Sequence, residues 1–498
     1  MAGYRIVPPR ATSMLESLRG LGYSTGAALA DIVDNSISAG ASSIHIEFSW
    51  EGDHSRISLL DNGRGMSDAQ LEEAMRLGNR SPLDFRDPED LGRFGMGLKT
   101  ASLSQCRRLT VASVGKEGST SCLRWDLDEM SEDPNAAWVL FEGPSKGSEI
   151  FLEPLSASHS GTMVLWERLD RVVSDGYTAD DFLKLIDKVE QHLGMIFHRM
   201  LNGPHERLRI FLNGRKVRPW DPFMTGHPAK SWQSPVDKRN SGTARVEVQC
   251  HVLPHRDRLT REEFDLAGGP EGWVAQEGFY VYRNERMLLA GGWLGLGQGR
   301  PWIREESYRL ARIRLDIPNS ADAEWKIDIR KSTARPPLPL RSWLTKMAGD
   351  TREKARAVFV HRGTPGNVRG ASEVIQAWRV DRSSSGSRYR IDEEHPVVKA
   401  AIDNAGGNLP LLRAMLKIIE ETVPIQRIWL DTSENPDVPE MGFSGETSES
   451  VGQILKVIYK DMIDRIGIAP ERAKKTLMGT EPFQRFPELV NALSEDPD

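Results

Sequence analysis

The feature that most constrains this 498-residue chain is the order of three short polar clusters within its first hundred residues. Asp31 and Asn35 stand four positions apart in STGAALADIVDNSISA, residues 24 to 39. Asp61-Asn62-Gly63-Arg64-Gly65-Met66 follows an apolar run, and Gly92-Arg93-Phe94-Gly95-Met96-Gly97-Leu98-Lys99-Thr100 opens a further helical stretch. Leu29, Ile32, Val33, Ser36 and Ile37 share one face at helical spacing, so residues 24 to 39 are predicted to form a helix with Ser24 or Thr25 as cap. Ile44, Ile46, Phe48 and Trp50 alternate, and Arg56-Ile-Ser-Leu-Leu60 is a second short run, which predicts two strands paired as a hairpin. Residues 67 to 90 mix a short helix with a charged, Pro-containing loop, and a helix restarts at Leu98 to Leu103. A mobile loop bounded by glycines is implied.

Each cluster has a chemistry of its own. A four-residue step nearly completes a helical turn, so Asp31 and Asn35 lie on the same side of their helix. The Asn35 amide oxygen suits a magnesium ion that also holds phosphates, and Asp31 can polarise the water that attacks a γ-phosphate. The same pair can also be nothing more than the solvated face of an amphipathic helix. Asp61 at a strand end can accept a hydrogen bond from an exocyclic amino group such as that of adenine, while Gly63 and Gly65 let the backbone approach a flat ring; a plain glycine-rich turn remains the alternative. In the third cluster, glycines let successive N–H groups point at phosphate oxygens, and Lys99 adds a mobile cation. No βαβ unit surrounds this GxxGxG and no GxxxxGK[ST] segment occurs, so neither a dinucleotide fold nor a P-loop is indicated.

Taken together, the acidic residue and Asn on a helix, DxGxG after a strand, then a loop and GxxGxG, resemble the signature order of the GHKL ATPase superfamily: DNA gyrase, MutL, histidine kinases, the large cytosolic heat-shock chaperone and the microrchidia (MORC) ATPases. Similarity to bacterial MORC-like proteins is nearest, on ALADIVDNSISAGA, LGRFGMGLKTAS and FLNGRKVRPWDPF. The resemblance implies ATP and Mg2+ as cofactors, with Asn35 as metal ligand and Asp61 on adenine. Gly63, Gly65, Met66, Gly92, Arg93, Phe94, Gly95, Met96, Gly97, Leu98, Lys99 and Thr100 would line the nucleotide, and Thr162 in Ser160-Gly-Thr-Met-Val164 would help bind Asp61 and adenine. Asp31 takes the place of the commoner Glu as general base, and Ser38 stands where an Asp is often found, so hydrolysis to ADP and phosphate is expected to be slow.

The resemblance also sets an expected organisation. The fold class is α/β, an α+β sandwich of Bergerat type over residues 1–175, with further strands at LTVASV, CLRWDL, GSEIFL and TMVLWERL. A transducer-like α/β domain over 176–345 follows, with a helix near 180–201, a hairpin turn at Asn213-Gly214, and strands at 208–212, 244–253, 278–289 and 311–317. Trp325 to Ser332 is expected to be a strand leading to a loop in which Lys331, or second Lys326, senses the γ-phosphate. Residues 346–390 comprise a helix and a Gly-, Ser- and Arg-rich linker or flexible insertion, and 391–498 a mainly helical domain. There, Val451, Leu455, Ile458, Met462 and Ile466 form a stripe that suits core packing more readily than a partner face.

Composition narrows the class. Hydrophobic residues at 39% and charged residues at 27% are the balance of a globular protein rather than a disordered one. A net charge of −6 gives no long-range pull on nucleic acid, so DNA contact must come from local cations, with Arg207, Arg209, Arg215, Lys216 and Arg218 as candidates. Three scattered cysteines indicate neither a disulfide framework nor a zinc site. No signal core or membrane span is visible, and a cytoplasmic location without membrane association is expected. A histidine kinase is disfavoured for want of room for a phosphoacceptor region before Asp31, and a complete topoisomerase by the length after residue 345. No nuclease motif is visible, so cleavage would need a separate nuclease or other effector protein. The expected activity is an ATP-dependent homodimeric clamp on DNA, by resemblance in defence against foreign DNA; the alternatives are a chaperone-like clamp on proteins and a slow ATP switch in a multiprotein complex.

Overall fold

The computed structural model describes residues 10–20, 22–78, 97–115, 117–132, 138–202, 207–241, 244–321, 324–327, 333–360, 375–383, 386–434, 448–464, 467–480, 483 and 486–494. The chain divides into two compact units, Met1–Gly363 and Thr364–Asp498.

In the first unit, β1 (Ser43–Ser49), β2 (Arg56–Asp61), β3 (Arg108–Val114), β4 (Thr120–Asp126), β5 (Phe141–Glu142), β6 (Gly161–Glu167), β7 (Arg209–Leu212) and β8 (Arg215–Lys216) form one sheet in the order β5-β4-β3-β6-β2-β1-β7-β8. β1 and β2 pair antiparallel, as the alternating apolar runs predict. β7 runs parallel to β1, so the run Leu208–Leu212, expected within 176–345, hydrogen-bonds into this first sheet. Asn213 and Gly214 turn β7 into β8 with φ of 46° and 76°, the left-handed geometry that makes Asn-Gly a hairpin signal. The run GSEIFL is not a strand: Glu149–Leu152 is a 3-10 turn. Ile150 is 61% exposed, and a helix with Pro in its first turn follows directly, so no alternation of burial exists to hold a strand.

The helices of the same stretch are α1 (Ala11–Arg19), α2 (Thr25–Ser38), α3 (Asp68–Met75), α4 (Gly97–Leu103), α5 (Leu127–Ser131), α6 (Glu153–Ser156), α7 (Ala179–Ile196) and α8 (His198–Leu201). Ser24 is the α2 cap, its side chain accepting from the Ala27 amide at 3.2 Å. The main core packs Leu29, Ile32 and Val33 of α2 and Leu193 of α7 with Ile44, Ile46, Ile57, Leu59, Val111, Val164 and Trp166 of the sheet. The sheet's opposite face carries a smaller cluster of Ala112, Val114, Met163 and Leu155.

A second sheet contains β9 (Trp232–Gln233), β10 (Asp237–Ser241), β11 (Ala244–Val252), β12 (Gly278–Arg283), β13 (Arg286–Ala290) and β14 (Ala311–Asp316), ordered β10-β11-β14-β12-β13, with β9 on β11. The expected single run 278–289 is a hairpin, because Asn284 and Glu285 adopt φ of 47° and 66°. This hairpin serves two cores: Tyr280, Tyr282 and Met287 pack into the first, Phe279, Val281 and Leu288 into the second. α9 (Arg261–Gly268) and α10 (Leu338–Val360) supply Phe264, Leu340 and Leu344 to that second core. Where the strand expected over 325–332 should begin, Glu324–Lys326 is a turn, and residues 328–332 lie outside the described residues. Trp325 is wholly buried there, and Lys326 has a positive φ of 50°, which no strand tolerates.

In the second unit, β15 (Trp378–Ser383) and β16 (Gly386–Ile391) make an antiparallel hairpin inside the segment expected as a linker. Backbone pairing across six positions there outweighs the flexibility suggested by Gly, Ser and Arg content. α11 (Pro396–Asn404), α12 (Leu409–Glu421), α13 (Ile425–Glu434), α14 (Ser448–Asp464), α15 (Pro470–Met478) and α16 (Pro487–Asn491) complete it. Val451, Leu455, Ile458 and Met462 of the α14 stripe are all in its core; Ile466 lies outside the described residues. Among the described residues no helix is long and apolar enough to cross a membrane.

One buried histidine sets a pH dependence. His251 on β11 packs against Phe223 at 4.6 Å between ring centroids. Burial, with help from the Lys230 cation, lowers its imidazole from 6.5 to about 3. The unfolded chain therefore binds this proton below pH 6.5 while the folded chain does not, so stability is full above that pH and falls as pH drops. At pH 5 the loss from this residue amounts to about 2 kcal/mol. Urea titrations at pH 7 and pH 5 are expected to show this fall, reduced by about that amount in His251→Phe.

Candidate functional site

β2 buries every second residue, Ile57, Leu59 and Asp61. Period-two alternation thus delivers the Asp61 carboxylate to the face that α2 covers. Asp61 pairs across the ladder with Thr162 of β6, and Thr162 pairs with Ser113 of β3. Thr162 has the parity of Val164 and Trp166, and Ser113 that of Leu109 and Val111, all residues of the main core. Asp61, Thr162 and Ser113 therefore form a polar row across three neighbouring strands at the edge of an apolar face.

The row is hydrogen-bonded throughout. Ser36 of α2 donates its hydroxyl to Asp61 Oδ2 at 2.7 Å, and the Gly63 amide donates to Oδ1 at 2.8 Å. Burial raises the Asp61 pKa, opposed by the hydrogen bonds from Ser36, Gly63 and the Thr162 backbone. The Ser113 and Thr162 hydroxyls lie 2.9 Å apart, Ser113 Oγ also meets the Gly161 carbonyl, and the Met66 amide donates to Ser113 Oγ at 2.9 Å. Ser36 and Ser113 were not singled out from sequence as functional. Their signal is a polar residue at an inward position of an otherwise apolar periodic run.

The glycines of this loop are required by its own backbone. Gly65 has φ of 66°, and a Cβ there would lie 1.8 Å from the Val114 carbonyl oxygen, so β3 packs directly against this glycine. A Cβ on Gly63 would lie 2.9 Å from Asp61 Oδ1. Arg64 reaches back to the Ser38 carbonyl at 3.0 Å, closing the loop on the C-terminal end of α2.

Asp31 and Asn35 do share one side of α2, but in different surroundings. Asn35 is exposed, an oxygen donor open to a ligand at the helix surface. Asp31 is buried to 6% exposure. Its Oδ2 accepts from the Tyr23 hydroxyl at 3.1 Å, and Arg286 Nη2 of β13 lies 3.6 Å from Oδ1. The solvated-face alternative thus fails for Asp31. A Cβ built on Gly97 would fall 3.9 Å from Asp31 Oδ2, so the start of α4 adjoins this carboxylate. Lys99 and Thr100 of α4 are buried. Lys99 is not a mobile cation: its ammonium donates to the Ala74 carbonyl at the end of α3 at 2.9 Å, and burial lowers it to about 8. Gly92, Arg93, Phe94, Gly95 and Met96 lie outside the described residues, as does Lys331; Lys326 is exposed.

Among the described residues no group of three His, Cys, Asp or Glu side chains could hold a metal ion. A magnesium ion that keeps several waters and takes phosphate oxygens needs only one or two protein ligands, and Asn35, exposed beside Asp31, fits that donor set.

The polar row thus lies on a mixed sheet with helices α2 and α4 over one face, and the same segment matches a known class of protein. Residues 23–162 match the family model described as Histidine kinase-, DNA gyrase B-, and HSP90-like ATPase, so this segment is a GHKL-type ATPase domain. Over 270 residues the chain is 32% identical to the DNA mismatch repair protein MutL of Colwellia psychrerythraea (strain 34H), an alignment covering 52% of this chain and 36% of that protein.

Gly65→Ala combines a strained φ with a clash against backbone. It is expected to destabilise the protein by about 2 kcal/mol or more, read as a lowered urea midpoint. Ser36→Ala, which leaves buried Asp61 one donor short, should cost about 1–3 kcal/mol in the same measurement.

Proposed function

We propose that this protein binds and slowly hydrolyses ATP, and that ATP closes two copies into a clamp on DNA. The observation that supports nucleotide binding most directly is the polar row Asp61–Thr162–Ser113, delivered to the α2 face beside Asp31, Asn35 and Gly97. In this reading Asp61 accepts the adenine amino group, with Thr162 beside it. Gly63, Gly65 and Met66 shape the adenine side, and the segment Gly92 to Thr100 covers the phosphates. Asn35 contributes its amide oxygen to Mg2+, whose chemistry is to neutralise phosphate charge. Asp31 orients and polarises the attacking water, its carboxylate fixed by Tyr23. Lys331, or failing it Lys326, contacts the γ-phosphate and ties its loss to movement of the second sheet.

The DNA assignment draws on the MutL relative and on the edge of the first sheet. Arg207, Arg209, Arg215, Lys216 and Arg218 are all exposed there on and around β7 and β8. Such a row offers phosphate contacts even on a chain of net charge −6. Arg207 also pairs with Glu285 in the turn of the β12–β13 hairpin at 3.2 Å, so this edge adjoins the second sheet. The wording of the α2 and glycine motifs favours a MORC-like clamp, with defence against foreign DNA as its setting and a nuclease or other effector supplied by another protein.

Asp31→Asn should lower ATP turnover at least a hundredfold while binding of a non-hydrolysable ATP analogue by calorimetry stays within about threefold; lost binding would remove Asp31 from the role of base. Asp61→Ala should abolish that binding. In gel shifts with the analogue, circular DNA retained at high salt while linear DNA is released establishes a clamp. ATPase stimulation by unfolded protein with no response to DNA overturns the DNA reading in favour of a chaperone-like clamp.

A further inference from the structure

Arg286 opens β13, the edge strand of the second sheet, yet its guanidinium is spent on α2 of the ATPase domain. Its Nε lies 3.0 Å from both carboxylate oxygens of Asp34, and its Nη2 reaches within 3.6 Å of Asp31 Oδ1. Nη1 donates to the Met287 carbonyl at 2.8 Å, which fixes the side chain to its own strand. Arg286 is 3% exposed, Asp34 1% and Asp31 6%, so one guanidinium serves two carboxylates out of contact with bulk water. His192 of α7 stands beside them, its imidazole lowered to about 4 by burial and by the Arg286 charge. It packs against α2 at Gly26, where a Cβ would lie 3.1 Å from the ring. A neutral histidine, two carboxylates and one guanidinium thus meet where α2, α7 and β13 come together.

We infer that Arg286 is a positioning residue for ATP hydrolysis: by holding Asp31 and Asp34 together it keeps the Asp31 carboxylate aligned and makes that alignment depend on the place of the second sheet. This rests on the reading of Asp31 as the water-polarising group. The geometry supports a coupling because each end is fixed by something else. On the α2 side, Tyr23 holds the other oxygen of Asp31 at 3.1 Å. On the β13 side, Met287 is wholly buried in the first core and Leu288 nearly so in the second, so the strand cannot shift without disturbing both. A shift of β13 by an ångström or two separates Arg286 from Asp31, already at the long end of ion-pair distance, before it separates it from Asp34. Movement of the second sheet would therefore reach the reacting water through one side chain, independently of any lysine that contacts the phosphate.

The experiment compares the full-length wild type with Arg286→Gln and Arg286→Lys, measuring kcat and KM for ATP, affinity for a fluorescent non-hydrolysable ATP analogue, and the melting temperature. Arg286→Gln is expected to lose at least tenfold in kcat while KM and analogue affinity stay within about threefold. Arg286→Lys, with one ammonium in place of a fork that spans two carboxylates, should recover part of that kcat. A purely structural residue would instead lower kcat and analogue binding together, in step with the folded fraction, and that result overturns the inference. Should Arg286→Gln fail to fold, Arg286→Lys decides alone: kcat reduced at least threefold with unchanged analogue affinity supports the role, and wild-type kcat overturns it. Absence of turnover in the wild type would overturn the reading of Asp31 and this inference with it, whereas turnover in the wild type equalled by Arg286→Gln overturns this inference only.

Discussion

Helix α2 is buried at ten of its fourteen positions, and two of those ten are the carboxylates Asp31 and Asp34. Taking a carboxylate out of water costs several kcal/mol unless donors replace the lost hydration. The remainder of the first unit is arranged around meeting that cost. Tyr23 arrives just before the helix, Arg286 from a strand more than 250 residues away in sequence. The second sheet has to sit where it does for α2 to tolerate its own buried carboxylates.

The polar row of the sheet follows from a different economy. Asp61, Thr162 and Ser113 occupy inward positions of three strands whose other inward residues are apolar, so each needs partners among its neighbours. They find them in one another, in Ser36 and in the amides of Gly63 and Met66. A satisfied row of this kind is rigid, which fixes the Asp61 carboxylate in place.

The β12–β13 hairpin joins the two halves of the unit physically. Its alternate residues enter different cores, Tyr280 and Tyr282 with Met287 on one side and Phe279, Val281 and Leu288 on the other. Interiors packed to crystal-like density transmit displacement rather than absorbing it. An element shared in this way is well placed to carry movement between the second sheet and α2, and Arg286 stands at its point of contact.

Much of the first hundred residues was legible without coordinates, because helix and strand periodicity are local. The α2 span, the β1–β2 hairpin, the Asn213-Gly214 turn and the core stripe of α14 all follow from spacing alone. Where local pattern misled, a tertiary cause is visible. GSEIFL lacks a partner strand for its apolar residues, Trp325 is drawn into the second core through a turn, and within the Gly-, Ser- and Arg-rich stretch the described residues pair as β15 and β16. The motifs by themselves singled out Asp31, Asn35 and Asp61 as candidate nucleotide-site residues. Only the tertiary structure decided that Asp61 accepts from Ser36 and Thr162 meets Ser113, that Lys99 is bound to the end of α3, that β7 joins the first sheet, and that Arg286 closes on Asp34. Those decisions depend on which side chains from distant strands arrive at a buried charge, and no periodicity within one segment encodes that meeting.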